Sequence, residues 1–356
     1  MRLEEPQWWY GETPDLRQHL LAPIGHLYGW IVEARFRRHR PYRSRFPVIC
    51  VGNFTAGGAG KTPLALFIAQ LLLERGESPV FLSRGYGGTS AGPAWVEDTP
   101  DAAQQFGDEP LLLARLAPTL IAHDRKAGLQ MIEDGGWHAS VVIMDDGLQN
   151  PALIKDLSIA VVDGRRGVGN GEVIPAGPLR APLEFQLGLI DAIVVRGPDA
   201  AKPSQEHGVH QLLLHTFPGP VLAARAVPSG DTAWLAKTPI VAYAGIANPD
   251  RFFRLLEASG ARIVQRIAFP DHHVFSRADA VRLLRHAQDT GARLVTTEKD
   301  WVRLKGSVGV RNDLLEKTEP FAIEMAFEAR DLDRLTALIE GVIQRERPQK
   351  RPQVSP

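Results

Sequence analysis

Gly57, Gly58 and Gly60 lead directly into Lys61 and Thr62, and those residue types in that order suit the binding of a nucleoside triphosphate. A glycine-rich turn lets the backbone N–H groups of Thr55, Ala56, Gly57, Gly58, Ala59 and Gly60 face an anion at the start of a helix, whose dipole favours negative charge. Lys61 would then meet the β- and γ-phosphates and Thr62 a Mg²⁺ ion. The strict G-x-x-x-x-G-K-[ST] pattern requires glycine where this chain has Thr55, so the loop is a variant, and a tight βα turn with a solvated lysine is the plainer alternative. Asp145 and Asp146 end the apolar run 141–144. Paired carboxylates at the end of a buried strand commonly hold Mg²⁺ opposite such a loop, and hard oxygen ligands suit that ion. A strand followed by an Asp-Gly turn would need no metal.

Further candidates lie on loops. Arg84 and Tyr86 sit in Ser83-Arg-Gly-Tyr-Gly-Gly88 after the short apolar run 79–82, at the carboxyl end of a strand, where open α/β sheets place ligands. They are either substrate or phosphate contacts or ordinary turn residues. Arg180 ends a loop, residues 164–180, that is too rich in glycine and proline to be filler, and it would clamp an anionic group. Asp108, in Gly107-Asp-Glu-Pro110, suits a helix N-cap with Pro110 in the first turn, yet a carboxylate at such a junction can also act as a general base. His272 and His273 stand together in the loop 269–275. Two adjacent histidines are too few for a metal site and point apart in extended chain, but one of them can share a proton with a carboxylate.

The elements that must position these groups read as an α/β protein. The β-branched run 48–51 predicts a buried strand and the apolar run 64–73 a buried helix. Strands over 79–82, 140–145, 159–163 and 191–195 complete a P-loop NTPase-like parallel sheet with intervening helices, placed at 46–197. A polar, proline-containing linker over 198–215 leads to a second, smaller α/β domain at 216–340, and the Pro-, Gln- and Arg-bearing tail 341–356 is expected to be disordered. Before the sheet, residues 1–45 form an N-terminal unit. There Leu20, Leu21, Ile24, Leu27, Tyr28, Ile31 and Val32 make one helical stripe, followed by Arg35, Arg37, Arg38, Arg40, Arg43 and Arg45 with Trp8, Trp9, Tyr10 and Trp30 nearby. The stripe is shorter than the roughly 18 to 20 apolar residues of a membrane span. Interfacial aromatics and a polybasic patch suit a helix lying in the membrane surface, and a helix packed on its own domain is the alternative.

Composition narrows the class. At 356 residues, two domains are the first expectation, and 44% hydrophobic content supports packed cores. Forty-one basic and 41 acidic side chains cancel, which gives no argument for nucleic acid. The single cysteine, Cys50, excludes an internal disulfide framework. No secretory signal is expected, because Glu4, Glu5, Glu12 and Asp15 interrupt the first residues.

In order, the chain carries Val51-Gly-Asn-Phe-Thr-Ala-Gly-Gly-Ala-Gly-Lys-Thr-Pro63, Ser83-Arg-Gly-Tyr-Gly87, Gly107-Asp-Glu-Pro110, Asp145-Asp-Gly-Leu-Gln149, Gly169-Asn-Gly171 with Pro175-Ala-Gly-Pro-Leu-Arg180, Phe269-Pro-Asp-His272 and Thr297-Glu-Lys-Asp300. This ordered set resembles the tetraacyldisaccharide 4'-kinase family of Gram-negative bacteria, over roughly residues 8 to 330. The resemblance implies ATP- and Mg²⁺-dependent phosphorylation of the 4'-hydroxyl of a membrane-embedded glycolipid, tetraacyldisaccharide 1-phosphate. It implies a peripheral enzyme on the cytoplasmic face of the inner membrane, with the N-terminal helix meeting anionic lipids. It also implies that Asp108 and His272 form the dyad that activates the acceptor hydroxyl, with Lys61 on the triphosphate, and it makes Arg84, Tyr86, Asn170 and Arg180 the substrate-binding candidates. Two positions depart from the family pattern: Ala181 stands where a glutamate is frequent, leaving Glu184 as the nearby carboxylate, and Asn150 replaces a histidine.

Two rivals differ in class. A nucleotide-switch or metal-insertion GTPase shares the strand, loop and aspartates, but Thr297-Glu-Lys-Asp300 has glutamate where a guanine-reading motif needs Asn or Thr before the lysine. A membrane scaffold without catalysis would not need Lys61, Thr62 and the aspartate pair.

Overall fold

The computed structural model describes residues 6–346 apart from 12, 14, 136–137, 198–211 and 214. Most of the expected linker, and the tail from 347, lie outside the described residues. The strands are β1 (Val48–Gly52), β2 (Pro79–Ser83), β3 (Ala94–Trp95), β4 (Thr119–Ile121), β5 (Val141–Asp145), β6 (Leu157–Asp163), β7 (Ala192–Gly197), β8 (Val221–Pro228), β9 (Ile240–Ala244), β10 (Ile263–Ala268), β11 (Arg293–Thr297), β12 (Thr318–Phe321) and β13 (Ile323–Phe327).

The first sheet has nine strands in the order β13-β8-β7-β6-β1-β5-β2-β4-β3, and the second has four in the order β10-β9-β11-β12. β1, β2 and β5 are buried along their whole length, as apolar runs are when helices cover both faces of a parallel sheet. β1 runs parallel between β5 and β6, and Val51 pairs in register with Asp145. That register sets the end of β1, where the glycine loop begins, beside the aspartate pair.

The domain division expected at 216 needs correction. β8 pairs with β7, and β13 runs antiparallel to β8, so two strands from the C-terminal stretch extend the first sheet. The helix Ala329–Glu346 follows them and packs Leu335, Ile339 and Val342 into the same core as Ile49, Leu64 and Ile68. The chain therefore leaves the first layer, builds the four-stranded sheet and returns. Helix continues to Glu346, past the expected start of the disordered tail at 341.

The N-terminal helix spans Leu16–Arg38, capped by Asp15, whose carboxylate accepts from Arg17 N. It docks through its small residues. Gly25 and Gly29 are its buried positions, and a Cβ on Gly25 would stand 2.6 Å from the Val173 carbonyl oxygen. Leu16, Leu20, Ile24, Leu27, Tyr28, Trp30 and Ile31 are exposed. Among the described residues no helix is long and apolar enough to cross a membrane.

Candidate active site

The glycine loop turns through left-handed backbone at Gly57 (φ 93°) and Gly60 (φ 104°), which side chains rarely tolerate. A Cβ on Gly60 would also meet the Arg196 guanidinium at 2.6 Å. The helix Lys61–Glu74 starts immediately after, so Lys61 and Thr62 are buried in its first turn. Thr55 contributes its backbone: its carbonyl accepts from Asn53 Nδ2 at 2.7 Å and from Arg180 Nε at 2.9 Å. Asn53 is itself tied to Gln149, whose Nε2 donates to the Asn53 carbonyl at 2.8 Å.

Asp145 ends β5 and Asp146 follows it, and the two carboxyls are shifted in opposite directions. Asp146 (φ 53°) accepts from Arg180 Nη1 at 2.6 Å and lies 3.7 Å from Lys61 Nζ. Burial would raise its carboxyl, but Arg180 and Lys61 outweigh burial and hold it below the usual carboxylate range. Asp145 is fully buried, and among the described residues neither of its carboxylate oxygens has a hydrogen-bond partner. Burial first, then the charges of Glu109 and Asp146, push it up to about 7. An orphaned pair of hard oxygen atoms next to Asp146 suits a divalent cation that takes few protein ligands, and Thr62, buried in the first turn of the helix after the loop, is the further candidate. Among the described residues no group of three or more His, Cys, Asp or Glu side chains is arranged to hold a metal alone, so further ligands would come from phosphate and water.

Arg180 is thus committed to Asp146 and the loop carbonyl rather than standing free as a clamp. Asn170 departs further from expectation. Its Nδ2 donates to the Ala176 carbonyl at 2.9 Å and its Oδ1 accepts from Glu172 N at 3.2 Å; the side chain pins its own loop and does not line the cleft. Glu184 is exposed and also away from the cleft. Asn150 lines the cleft while its Oδ1 accepts from Ala152 N at 2.8 Å.

A cleft of about 820 Å³ runs from the N-terminal helix, at Tyr28 and Ile31, past Gly57, Gly58, Gly60, Lys61 and Thr62 to Arg84 and Tyr86, with Arg251, His272 and Lys299 opposite. Asp108 lies just beneath its wall. Gly107, not Asp108, occupies the N-cap position of the helix Asp108–Ala114, and Asp108 is its first residue. Its Oδ2 stands 3.2 Å from His272 Nδ1. His272 is held in left-handed backbone (φ 55°), its N–H donating to the Gly245 carbonyl at 3.0 Å, and the Tyr86 ring meets the imidazole edge-on at 5.4 Å. His273 points elsewhere, stacked on Phe269 at 4.6 Å with Nε2 3.0 Å from Asp279.

Several charged partners were not legible as such. Arg303 Nε donates to Asp108 Oδ2 at 2.9 Å, Lys299 Nζ meets Glu109 Oε1 at 2.5 Å, and Arg251 Nη1 meets Asp163 Oδ2 at 2.8 Å. Burial would raise Asp108, but Arg303, with His272 and Lys299, holds it well below the usual range. The available signal was the spacing of Lys299 and Arg303, which places both on one helical face.

A wound parallel sheet, a glycine loop opening a helix, paired aspartates on the adjacent strand and a carboxylate–imidazole contact across one cleft define a P-loop-type, nucleotide-dependent phosphotransferase. The sequence model of one such family, LpxK, tetraacyldisaccharide-1-P 4'-kinase, matches residues 17–343, and the chain belongs to that family. It is 49% identical over 311 residues to the tetraacyldisaccharide 4'-kinase of Methylobacterium nodulans, covering 86% of this chain and 89% of the relative. It is 43% identical over 341 residues to that of Nitrobacter winogradskyi, covering 96% and 98%. In fold it is similar to LpxK from Aquifex aeolicus solved in complex with ATP, with a TM-score of 0.71 at 24% identity over 92% of this chain and 99% of that one.

Proposed function

We propose that this chain transfers the γ-phosphate of ATP to the 4'-hydroxyl of tetraacyldisaccharide 1-phosphate, giving lipid IVA in lipid A biosynthesis. The observation that carries the reading is the Asp108–His272 contact in a cleft that begins at the glycine loop, in a chain of this family. In the reaction the acceptor oxygen forms a bond to the γ-phosphorus, the bond from phosphorus to the ADP oxygen breaks, and the hydroxyl proton passes to the Asp108–His272 pair. Phosphoryl transfer depends mainly on positioning and charge stabilisation. Lys61 and the loop N–H groups hold the triphosphate, and Arg180 braces Asp146 against the loop. Mg²⁺, held by Thr62, Asp145 and Asp146, would neutralise charge on the phosphates. Arg84 and Tyr86 flank the acceptor end.

The exposed apolar face of the N-terminal helix and its arginines support peripheral attachment to anionic lipids on the cytoplasmic face of the inner membrane. A substrate that stays in the bilayer would then reach the cleft past Tyr28 and Ile31. The test is transfer of radiolabelled γ-phosphate from ATP to detergent-dispersed tetraacyldisaccharide 1-phosphate by wild type, Lys61→Ala and Asp108→Ala. Labelled lipid from wild type alone is expected. Nucleotide hydrolysis with no labelled lipid from folded wild type would overturn the kinase reading in favour of a nucleotide switch.

A further inference from the structure

The helix that Thr297-Glu-Lys-Asp300 opens, Glu298–Leu304, carries the cation nearest Asp108. Thr297 is the N-cap: its hydroxyl accepts from Asp300 N at 3.1 Å and donates to Asp300 Oδ2 at 2.7 Å. Asp300 is fully buried, and its two oxygens also accept from Gly245 N at 3.1 Å. A carboxylate fixed in this way orients the guanidinium one turn on, because Arg303 Nη1 donates to Asp300 Oδ1 at 2.7 Å and to the Gly245 carbonyl at 2.6 Å. The other edge of the fork faces Asp108. Nε donates to Asp108 Oδ2 at 2.9 Å, Nη2 meets the same oxygen, and Nη2 lies 3.4 Å from His272 Nδ1.

We propose that Arg303 is a positioning residue of the phosphoryl-transfer site, its guanidinium holding Asp108 as a fixed, ionised acceptor for His272. The proposal rests on the kinase reading above. The side chains of Asp108 and Arg303 are 2% and 9% exposed, so this is no surface pair, and removal of one partner leaves the other charge buried alone. Without the cation, burial would favour a neutral Asp108. A neutral carboxyl orients an imidazole poorly for taking a proton at Nε2, whereas an anion accepts the Nδ1–H bond and stabilises the imidazolium that forms. The groups facing Asp108 are Arg303 and Lys299 from the Glu298–Leu304 helix and His272 from the loop after β10, with Asp300 opposing them from behind Arg303. The motif that resembles a failed guanine reader thus serves to aim one arginine.

The experiment compares wild type, Arg303→Gln, Arg303→Lys and Asp300→Asn in the lipid-phosphorylation assay across pH, with folding followed by thermal melting and ATP affinity measured separately. Arg303→Gln is expected to lower kcat at least tenfold and to move the acidic limb of the pH profile upward, with ATP affinity within about twofold of wild type. Arg303→Lys restores the limb. Asp300→Asn leaves Arg303 charged but takes away the anion that aims it, so kcat is expected to fall while ATP affinity holds, a result that can be read even if Arg303→Gln does not fold. An unmoved limb in folded Arg303→Gln, or wild-type kcat in folded Asp300→Asn, overturns the proposal. Absence of lipid phosphorylation by wild type is a different result, and it overturns the kinase reading instead.

Discussion

Asp108 Oδ2 and His272 Nδ1 lie 3.2 Å apart, although they come from opposite walls of the cleft. Asp108 opens a helix packed on the nine-stranded sheet, and His272 follows β10 of the four-stranded sheet. Neither layer holds the pair alone, so the proposed proton acceptor is assembled only where the two layers meet.

Substitution at this pair should therefore act on turnover rather than on nucleotide. Asp108→Asn and His272→Ala are each expected to lower kcat about 10²- to 10⁴-fold, the usual range for loss of a positioned acid–base group. The double variant should lose little more than either single one, since the two act as a unit. Steady-state assays with ATP and lipid varied in turn check this. Loss of ATP binding in a folded Asp108→Asn protein would sink the assignment.

Arg180 should report on the nucleotide rather than on the lipid. It donates at 2.6 Å to Asp146 and at 2.9 Å to the Thr55 carbonyl, so its removal frees a half-buried carboxylate beside Lys61 and slackens the loop. Arg180→Met is expected to raise KM for ATP by tenfold or more, on the order of 1.4 kcal/mol, with KM for the lipid little changed. The reverse pattern would return Arg180 to a substrate-clamping role.

Asp145 makes a prediction about stability whose sign depends on pH. Its folded carboxyl is raised to about 7 by burial and neighbouring charge, whereas in the unfolded chain it titrates at about 3.9. The folded state therefore binds the extra proton between these values, and Asp145 costs the nucleotide-free protein progressively more stability as pH rises through that window. Asp145→Asn should melt higher than wild type at pH 8 in the absence of Mg²⁺ and nucleotide, with the gap closing towards pH 5, while activity falls steeply. A variant that melts lower at pH 8 would contradict this.

The parts legible from sequence were those with a local signature. The run 48–73 named strand, loop and helix because apolar periodicity and glycine placement are short-range properties. The strand ending in Asp145 and Asp146 was legible for the same reason. What failed was partnership. Val221–Pro228 alternates as a half-buried strand does, with Ala223 and Arg225 exposed, but nothing within it says that it pairs with β7 rather than joining the second sheet. Asn170 stood in a glycine-rich motif that suggested a ligand, and its amide proved to be occupied by its own loop. Arg303 lies beyond the motifs quoted from the sequence, and its contact with Asp108 joins elements from different sheets, a distance no spacing rule reaches across.

The N-terminal helix docks through Gly25 and Gly29 and leaves an apolar face exposed, the face proposed for membrane contact. Gly25 permits the close approach to Val173, where a Cβ would stand 2.6 Å from the carbonyl oxygen, so Gly25→Ala should strain the docked helix by about 1–3 kcal/mol. Leu20 and Leu27 are 69% and 58% exposed, and exposed substitutions usually change stability by no more than about 0.5 kcal/mol. Leu20→Ser with Leu27→Ser should accordingly leave the melting temperature unchanged and reduce co-sedimentation with vesicles containing phosphatidylglycerol. Gly25→Ala should lower phosphorylation of the lipid while ATP affinity holds, because the helix supplies Tyr28 and Ile31 to the cleft. Vesicle binding that survives the double serine variant would assign attachment to the arginines alone and leave the apolar face for the acyl chains of the substrate.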